Sequence, residues 1–476
     1  MASSTAPRPS LFRHGNYLRL WTAASVSLFG TQVSQIAIPF IAAVVLNAPA
    51  GEVGLLTTVE FLPFLLFTLP AGVWVDRFPK KRILVFGDLG RAVMLGSIPI
   101  AYALGALTIW QLYVVGFVNG LMTVFFDVAD QSYLPTILER DELVEGNSKL
   151  QLSQSAAQIL GQPVGGGFVA LLSAPVAVLI DAVSYLASAG LIVSIRERVR
   201  GGTAGGGAAN GPVPDARAID AVATAAGEPA PSPQDAGTLV AESTVAVEQG
   251  APASTPTEAA GMRRQIQDGL HYILRHEYLG NIAATTATSN LFTNIGFAIF
   301  PVFAYKILLL TPAAVGTIGG LAGAGVLVGA LITSRIQTRI GVGRTIVLAS
   351  LTFGPIGLLV PIANPDTAFW LLSMSFFLGS VNNVVYNVSQ VSLRQAITPE
   401  HFLGRMNATM RFLVWGTIPI GSLIGAGLSE LVGVTTTVWI SAILGMFSFL
   451  PVLLSSVGTV RTIPTDDPAG AASAAS

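Results

Sequence analysis

Twelve apolar stretches, each long enough to cross a bilayer as a helix of about 20 residues, recur along the chain. Only 11% of the residues are charged, whereas a soluble domain carries about a quarter. We therefore predict an all-α integral membrane protein with twelve transmembrane helices in two six-helix bundles. The predicted spans, numbered 1 to 12 in this order, are 18–46, 52–75, 83–107, 109–134, 149–172, 175–195, 280–305, 312–334, 345–363, 367–393, 407–430 and 434–457.

The spans divide the chain into two halves around a polar gap. The gap is rich in Ala, Gly, Pro, Thr and Ser, a composition that cannot bury a core, so we predict a disordered linker. The segment after it spaces apolar residues on one helical face, which predicts an amphipathic surface helix; a plain continuation of span 7 is the alternative. The predicted regions are an N-terminal tail 1–17, an N-terminal bundle 18–200, the linker 201–261, a C-terminal bundle 262–459 and a C-terminal tail 460–476.

The positions of Lys and Arg near the span ends predict the orientation. If the N-terminus is cytoplasmic, the basic residues that flank the spans fall on the cytoplasmic side, and only Lys306 lands in an outer loop. We therefore predict a multi-pass protein of the cell membrane with both termini in the cytoplasm. The first span is too long for a signal-peptide core, so we expect it to be retained.

Several kinds of chemistry are excluded by residue usage. The chain has no cysteine, which excludes disulfides, thiolate metal sites and cysteine catalysis. It has no Gly-Lys dipeptide, and therefore no P-loop lysine for ATP binding. We predict no cofactor, no metal and no enzymatic activity. The expected partners are a small-molecule substrate, protons as the coupling ion and the lipid bilayer; we expect a monomer that binds no nucleic acid.

The two halves repeat each other at a shift of 260 residues. This shift pairs "FDVADQS" (126–132) with "YNVSQVS" (386–392) without a gap. It also pairs Gly161 with Gly421 and Gly165 with Gly425. Two bundles descended from one unit indicate a pseudo-symmetric transporter with its site between the bundles.

Large polar side chains are concentrated in spans 1, 4, 7 and 10. Such groups are costly against lipid, so we expect them to face one another or a wet cavity. The alternative is that these side chains form hydrogen bonds that hold the helices together. The uncharged candidates for substrate contact are Gln32, Gln35, Asn290, Asn294, Asn383, Asn387 and Gln390.

Three acids are candidates for proton coupling. Asp127 and Asp130 lie three residues apart, on one helical face with Cβ atoms about 5–6 Å apart. Burial and like-charge repulsion favour one shared proton, which a proton-coupled carrier requires. A gating or packing role for Asp127 and simple solvation of Asp130 are the alternatives. Glu60 lies near the bilayer middle, where an unpaired charge costs at least ~2.5–3.5 kcal/mol, so it is a coupling or cation-binding candidate or a neutral packing residue.

The loop after span 2 reads "AGVWVDRFPKKR" (71–82). Gly72 permits close backbone approach, and Asp76 lies at the negative end of its helix, where an anion needs a partner. Arg411 in span 11 has no acid nearby in sequence and is a candidate partner for Asp76. In span 3, Asp88 and Arg91 lie three residues apart and are predicted to neutralise each other. Asp181 in span 6 is interpreted as structural.

This loop resembles the signature loop of the major facilitator superfamily, in which a Gly-x-x-x-Asp-Arg pattern precedes a basic cluster. The runs "FFDVADQSYLP", "DLGRA" and "DAVSYLASA" resemble its drug:proton antiporter branch, which includes macrolide and siderophore exporters. The resemblance implies the major facilitator fold and antibiotic or drug efflux by alternating access. It also implies that Asp76 and Arg77 help to lock a cytoplasmic gate. Residues assigned to this gate are Gly72, Asp76, Arg77, Arg82, Asp88, Arg91 and Arg411.

Span 5 keeps the family's Gly-Pro pattern only in part. In "LGQPVGGG" (160–167), Gln162 stands where the resemblance leads us to expect proline, and Pro163 follows one residue late. The predicted helix-packing positions are Gly161, Pro163, Gly165, Gly421 and Gly425. This departure leaves the direction of transport open, although export is the expectation. A dedicated exporter of one endogenous metabolite, such as a siderophore, and a non-transporting sensor or scaffold are the alternative functions.

Overall fold

All regular structure in the described residues is helical. The computed structural model describes Leu11, residues 14–138 and 142–195, His271, Ile273 and residues 275–461. The predicted linker 201–261 and most of the predicted amphipathic segment lie outside these residues, so both stay predictions. The side chains of Asp76 and Arg411 also lie outside the described part of the structure.

The first six spans are helices in the N-terminal half. Span 1 ends in a π-helical turn, and a second π-helical turn interrupts span 5. Their bounds are Gly15–Phe40 with Ile41–Val45 (span 1), Ala50–Arg77 (span 2), Lys80–Ala103 (span 3), Ile109–Ile137 (span 4), Leu143–Ala156, Ala157–Gly161 and Gln162–Leu172 (span 5), and Ala174–Ser194 (span 6).

The last six spans repeat this plan in the C-terminal half. Span 7 also ends in a π-helical turn. Their bounds are Glu277–Val302 with Phe303–Ile307 (span 7), Pro312–Ile340 (span 8), Val342–Gly357 and Leu359–Ile362 (span 9), Ala368–Ile397 (span 10), Glu400–Val432 (span 11), and Val434–Gly445 and Leu450–Leu453 (span 12).

Ten helices of the described residues are long and apolar enough to cross a membrane. Span 5 is divided by its π-helical turn, and span 11 contains a shorter apolar helix, Gly416–Val432. Spans 5, 8 and 11 are longer than predicted: they begin at Leu143, end at Ile340 and begin at Glu400. All three extensions lie on the side that carries the N-terminus of span 1. The helices continue there with more polar residues, which a hydropathy pattern does not assign to a span.

The repeat is visible in the backbone. Ser173 joins spans 5 and 6 with φ 74° and ψ 150°, and Gly433, 260 residues later, joins spans 11 and 12 with φ 85° and ψ 160°. His14 and His276 cap the first helix of each half by accepting a backbone N–H through their side chains. The same local structure therefore recurs at matching positions of the two bundles.

Replacing Ser173 with glycine is expected to stabilise the protein. The conformation of Ser173 belongs to a region that only glycine adopts freely, and a side chain held there costs about 1–3 kcal/mol. We expect Ser173→Gly to raise the midpoint of thermal unfolding in detergent. The mirror change, Gly433→Ser, is expected to lower it; a lower midpoint for Ser173→Gly would contradict the strained conformation.

Glycines bring helices together within each bundle. A Cβ at Gly161 would lie 2.7 Å from Gln32 Cγ, and one at Gly165 would lie 3.0 Å from Val33 Cα, both on span 1. In the second half, a Cβ at Gly421 would lie 2.7 Å from the carbonyl oxygen of Leu291 on span 7. Spans 1 and 5, and spans 7 and 11, therefore pack in the same way.

Candidate functional site

The two bundles meet on the side of the membrane where span 1 ends and span 2 begins, which we call the distal side. Spans 5 and 8 approach there through small residues. A Cβ at Gly316 would collide with the carbonyl oxygen of Gln162 and lie 3.1 Å from Gly166 Cα. Spans 2 and 11 approach in the same way, since a Cβ at Gly54 would lie 2.9 Å from Ala426 Cβ. These contacts close the distal side.

Polar contacts reinforce this closure. The backbone N–H of Gly51, at the N-terminus of span 2, donates to Glu430 Oε1 on span 11 at 2.8 Å. The helix dipole makes that N-terminus favourable for a carboxylate. Lys306 Nζ, after span 7, donates to the carbonyl oxygen of Ala48 at 2.9 Å. Sequence reasoning treated Lys306 only as a topology marker and did not identify Glu430.

The predicted amide residues of spans 1 and 7 differ in exposure and bonding. Gln32 is buried against span 5, and its Oε1 has no hydrogen-bond partner in the described residues. Gln35, one turn later, is exposed. Asn290 and Asn294 donate to carbonyl oxygens of their own helix, at 3.0 and 2.8 Å. Only Gln35 of these four is exposed.

Span 10 carries the other predicted amides. Asn383 is exposed, and Asn387 is half-buried. Gln390 Nε2 donates to Asn387 Oδ1 at 2.8 Å, while Gln390 Oε1 is buried and has no partner among the described residues. Asn382, on another face, donates to the carbonyl oxygen of Ala349 and accepts from Thr352, which is helix–helix bonding.

Glu60 belongs to span 2, and its side chain packs against span 4. A Cβ at Gly116 on span 4 would lie 2.8 Å from Glu60 Cγ, so this glycine makes room for the glutamate side chain. Glu60 is half-buried, and within the described residues its carboxylate has no hydrogen bond and no ion pair. Among the described side chains, no cation pairs with this acid in the middle of a span.

Asp127 and Asp130 differ in burial. Asp127 is exposed and Asp130 is half-buried, so the coupling, gating and solvation hypotheses for the two acids stay predictions. Both lie within electrostatic range of Arg91. The guanidinium therefore lies close to both predicted coupling acids of span 4.

The predicted pairing of Asp88 with Arg91 is confirmed. Arg91 Nη2 donates to Asp88 Oδ1 at 2.5 Å, and both residues are buried. The guanidinium lies over the rings of Phe126 and Tyr185, so its neighbours belong to the N-terminal bundle. The structure thus places this pair inside one bundle, whereas the gate assignment requires contact between bundles.

Of the other gate residues, the structure describes Gly72, Arg77 and Arg82. Arg77 and Arg82 are exposed. A Cβ at Gly72 would meet no atom of the described residues within 4 Å, so no close backbone approach is seen there in the described part of the structure. The contacts between the bundles described above lie on the distal side, and the predicted lock between Asp76 and Arg411 lies outside the described side chains.

Arg394 in span 10 was not singled out by the sequence. It is 4% exposed, and its Nε has no hydrogen-bond partner in the described part of the chain. A basic residue near this end of a span is what the orientation rule already predicts. No sequence signal therefore distinguishes the buried Arg394 from an exposed flanking arginine.

Family models match both halves of the chain. The model described as Major Facilitator Superfamily matches residues 20–223, and a second model of the superfamily, described as transmembrane secretion effector, matches residues 243–468. The chain belongs to the major facilitator superfamily. The family and its fold are those of transporters, which are generally not enzymes.

Relatives within the superfamily match part of the chain. An uncharacterised transporter of the superfamily, YkuC from Bacillus subtilis, is 26% identical over 186 residues, covering 39% of this chain and 43% of YkuC. Macrolide efflux protein A from Streptococcus pyogenes is 26% identical over 151 residues, covering 31% of this chain and 36% of that protein. The matches thus span less than half the length of these relatives.

Solved structures share the fold over nearly the whole chain. A bacterial homologue of the iron transporter ferroportin, in an inward-facing state, has a TM-score of 0.65 at 14% identity and covers 94% of this chain and 99% of its own. A bacterial homologue of the human lysosomal transporter Spinster, inward-facing and unoccupied, has a TM-score of 0.60 at 13% identity, with coverage of 95% and 99%. At these identities the likeness concerns the major facilitator fold alone.

Proposed function

We propose that the protein is a secondary carrier that exports hydrophobic or amphipathic small molecules, such as antibiotics, in exchange for protons. The observation that carries the proposal is Glu60, a half-buried acid in the middle of a span that has no ion pair with any side chain the structure describes. A carboxyl group in that setting gains and loses a proton when its exposure to water changes. Alternation between two orientations of the bundles provides that change of exposure.

Substrate contact is assigned to neutral and acidic side chains. The exposed amides Gln35 and Asn383 lie on spans 1 and 10, one in each bundle. Such groups suit a substrate that is modest in charge or cationic. The partial likeness to macrolide efflux protein A supports an antibiotic as the substrate class.

The closed distal side supports the direction of access. With both termini in the cytoplasm, the distal side is the outer side, and the bundles are closed there by spans 5 and 8 and by spans 2 and 11. The cavity of this state then opens to the cytoplasm, where an exporter loads its substrate. Asp76, Arg77 and Arg411 remain the proposed lock of the opposite state.

Replacing Glu60 with glutamine is expected to abolish proton coupling. The test uses proteoliposomes with an imposed pH gradient and records proton movement on addition of macrolides, lipophilic drugs or siderophores. We expect Glu60→Gln to reduce substrate-triggered proton movement at least tenfold, because the amide cannot carry a proton. Asp366→Asn is the matched control, since Asp366 is an exposed acid in the turn before span 10, and wild-type movement is expected.

Other results would favour the alternatives. Drug movement without proton movement in the wild type would contradict antiport and indicate a uniporter. A response to siderophores alone would indicate a dedicated exporter. Silence with every compound, together with loss of a cellular phenotype on deletion of 201–261, would favour a sensor or scaffold.

A further inference from the structure

We propose that the N-terminal bundle contains its own proton path, a buried side-chain network centred on Arg91 that extends from Asp181 in span 6 to Asp130 in span 4. The inference rests on the proposed proton antiport. It deepens that proposal by separating the route of the proton, inside one bundle, from the substrate cavity between the bundles.

Arg91 is held at the centre of this network. Its guanidinium lies 4.1 Å from the centroid of the Phe126 ring and 4.2 Å from that of the Tyr185 ring. One nitrogen donates to Asp88, and Nε is buried without a hydrogen-bond partner among the described residues. The arginine thus connects spans 3, 4 and 6.

Asp181 forms the distal end of the network. It is 1% exposed, and its Oδ1 accepts from the hydroxyl of Ser184 at 3.2 Å. Gly30 on span 1 leaves space for this carboxylate, since a Cβ there would lie 2.7 Å from Asp181 Oδ1. One turn further along span 6, the hydroxyl of Tyr185 lies 2.9 Å from that of Thr31. Asp181, which the sequence interpretation treated as structural, therefore lies one helical turn from Tyr185, whose ring contacts Arg91.

Asp127 and Asp130 form the opposite end. Asp130 lies within electrostatic range of Asp127, Asp88 and Arg91. It precedes the end of span 4 at Ile137 by about 10 Å of helix, and Asp181 follows the start of span 6 by about the same length. The network therefore lies between points about 10 Å of helix from the inner end of span 4 and from the distal end of span 6.

The charges of the network do not balance when every acid is ionised. The acids are Asp88, Asp127, Asp130 and Asp181; among the described side chains, Arg91 is the cation near Asp88, Asp130 and Asp181. Span 1 contributes only hydroxyls, and Tyr185 is the other titratable group. Several carboxylates cannot all remain ionised in a medium of low dielectric constant, so some of them hold protons.

A metal ion is a poor alternative occupant. No group of three or more histidine or acidic side chains that could hold a metal ion occurs in the described ranges. The four acids are spread along three helices and do not converge on a point.

The C-terminal bundle lacks an equivalent network. The positions 260 residues after Asp88, Arg91, Asp127, Asp130, Asp181 and Tyr185 are Leu348, Leu351, Asn387, Gln390, Ser441 and Gly445. None of these side chains is ionisable at neutral pH. The repeat thus keeps the amides of span 10 where span 4 carries acids, and proton handling is assigned to the N-terminal half.

The first experiment measures protonated carboxyl groups without any substrate. Infrared spectra of the purified full-length protein in liposomes are recorded across a pH titration, and the carbonyl band of protonated carboxyl groups is followed. We expect Asp181→Asn and Asp130→Asn each to remove part of this band. At neutral pH, the exposed control Asp366→Asn is expected to leave the band unchanged. An unchanged band at that pH in both network variants overturns the inference.

The second experiment measures antiport in the same variants. We expect Asp181→Asn to lower substrate-triggered proton movement at least tenfold while the substrate Kd stays within twofold of wild type. Tyr185→Phe keeps the ring over Arg91 and removes the hydroxyl, so it serves if Asp181→Asn fails to fold; a several-fold slower proton movement is expected. Wild-type antiport in a folded Asp181→Asn variant overturns the inference alone. Absence of antiport in the wild type overturns the proposed function, and the path that rests on it.

Discussion

Replacing Gly316 with leucine is expected to shift the protein out of its distally closed state by a factor of about 5–150. A Cβ at this position meets backbone on span 5, the carbonyl oxygen of Gln162 and the Cα of Gly166, and backbone cannot move aside as a side chain can. Overpacking of this kind costs about 1–3 kcal/mol. That cost applies only while spans 5 and 8 are in contact. It therefore destabilises the distally closed state relative to the distally open state.

The shift is measurable by cysteine labelling, because the chain contains no cysteine of its own. A Gln35→Cys reporter is labelled with a membrane-impermeant maleimide added on the distal side, and its rate is expected to rise when Gly316→Leu is introduced. Gly167→Leu is the matched control, since a Cβ at Gly167, in span 5, meets nothing within 4 Å. Equal labelling rates in the two variants would show that the contact between spans 5 and 8 does not determine closure.

The twelve spans could be predicted because each needs a long apolar stretch, which is a local property of the sequence. The predicted bounds are wrong where the contacts of a helix with other helices outweigh the preference of its own residues. Span 4 continues past Pro135 to Ile137, although the prediction ended it at residue 134. A proline deletes one backbone hydrogen bond, and the packing of span 4 against its neighbours tolerates that loss near a helix end. No feature of the sequence predicted the π-helical turn in span 5.

The candidate site was less predictable, because burial depends on contacts between distant parts of the chain. Spacing alone placed Asp127 and Asp130 on one helical face but could not establish which of them is buried. Arg91 was assigned a partner in its own helix, and that local pair is present. Its contacts with Phe126 and Tyr185 involve two other spans and follow only from the assembled bundle.

The buried ion pair of Asp88 and Arg91 is expected to contribute strongly to the stability of the fold. Asp88 is completely buried and Arg91 nearly so, and removing one partner of a buried ion pair costs about 3–5 kcal/mol because the other charge stays buried. We therefore expect Asp88→Leu and Arg91→Met each to lower the thermal unfolding midpoint strongly. Replacement of both residues by apolar side chains removes both charges, so the double variant is expected to lose clearly less than the sum of the single variants.

A surface pair in the same bundle provides the comparison. Lys149 and Glu145 also lie 2.5 Å apart, but their side chains are 20% and 54% exposed. Exposed pairs contribute about 0–1 kcal/mol, so Lys149→Met and Glu145→Leu are expected to have small and nearly additive effects. Unfolding midpoints of both sets in one detergent give the two coupling energies. Additive losses at Asp88 and Arg91 would mean that the aspartates of span 4 already compensate the charge of Arg91. The arginine would then interact with all acids of the network and not mainly with Asp88.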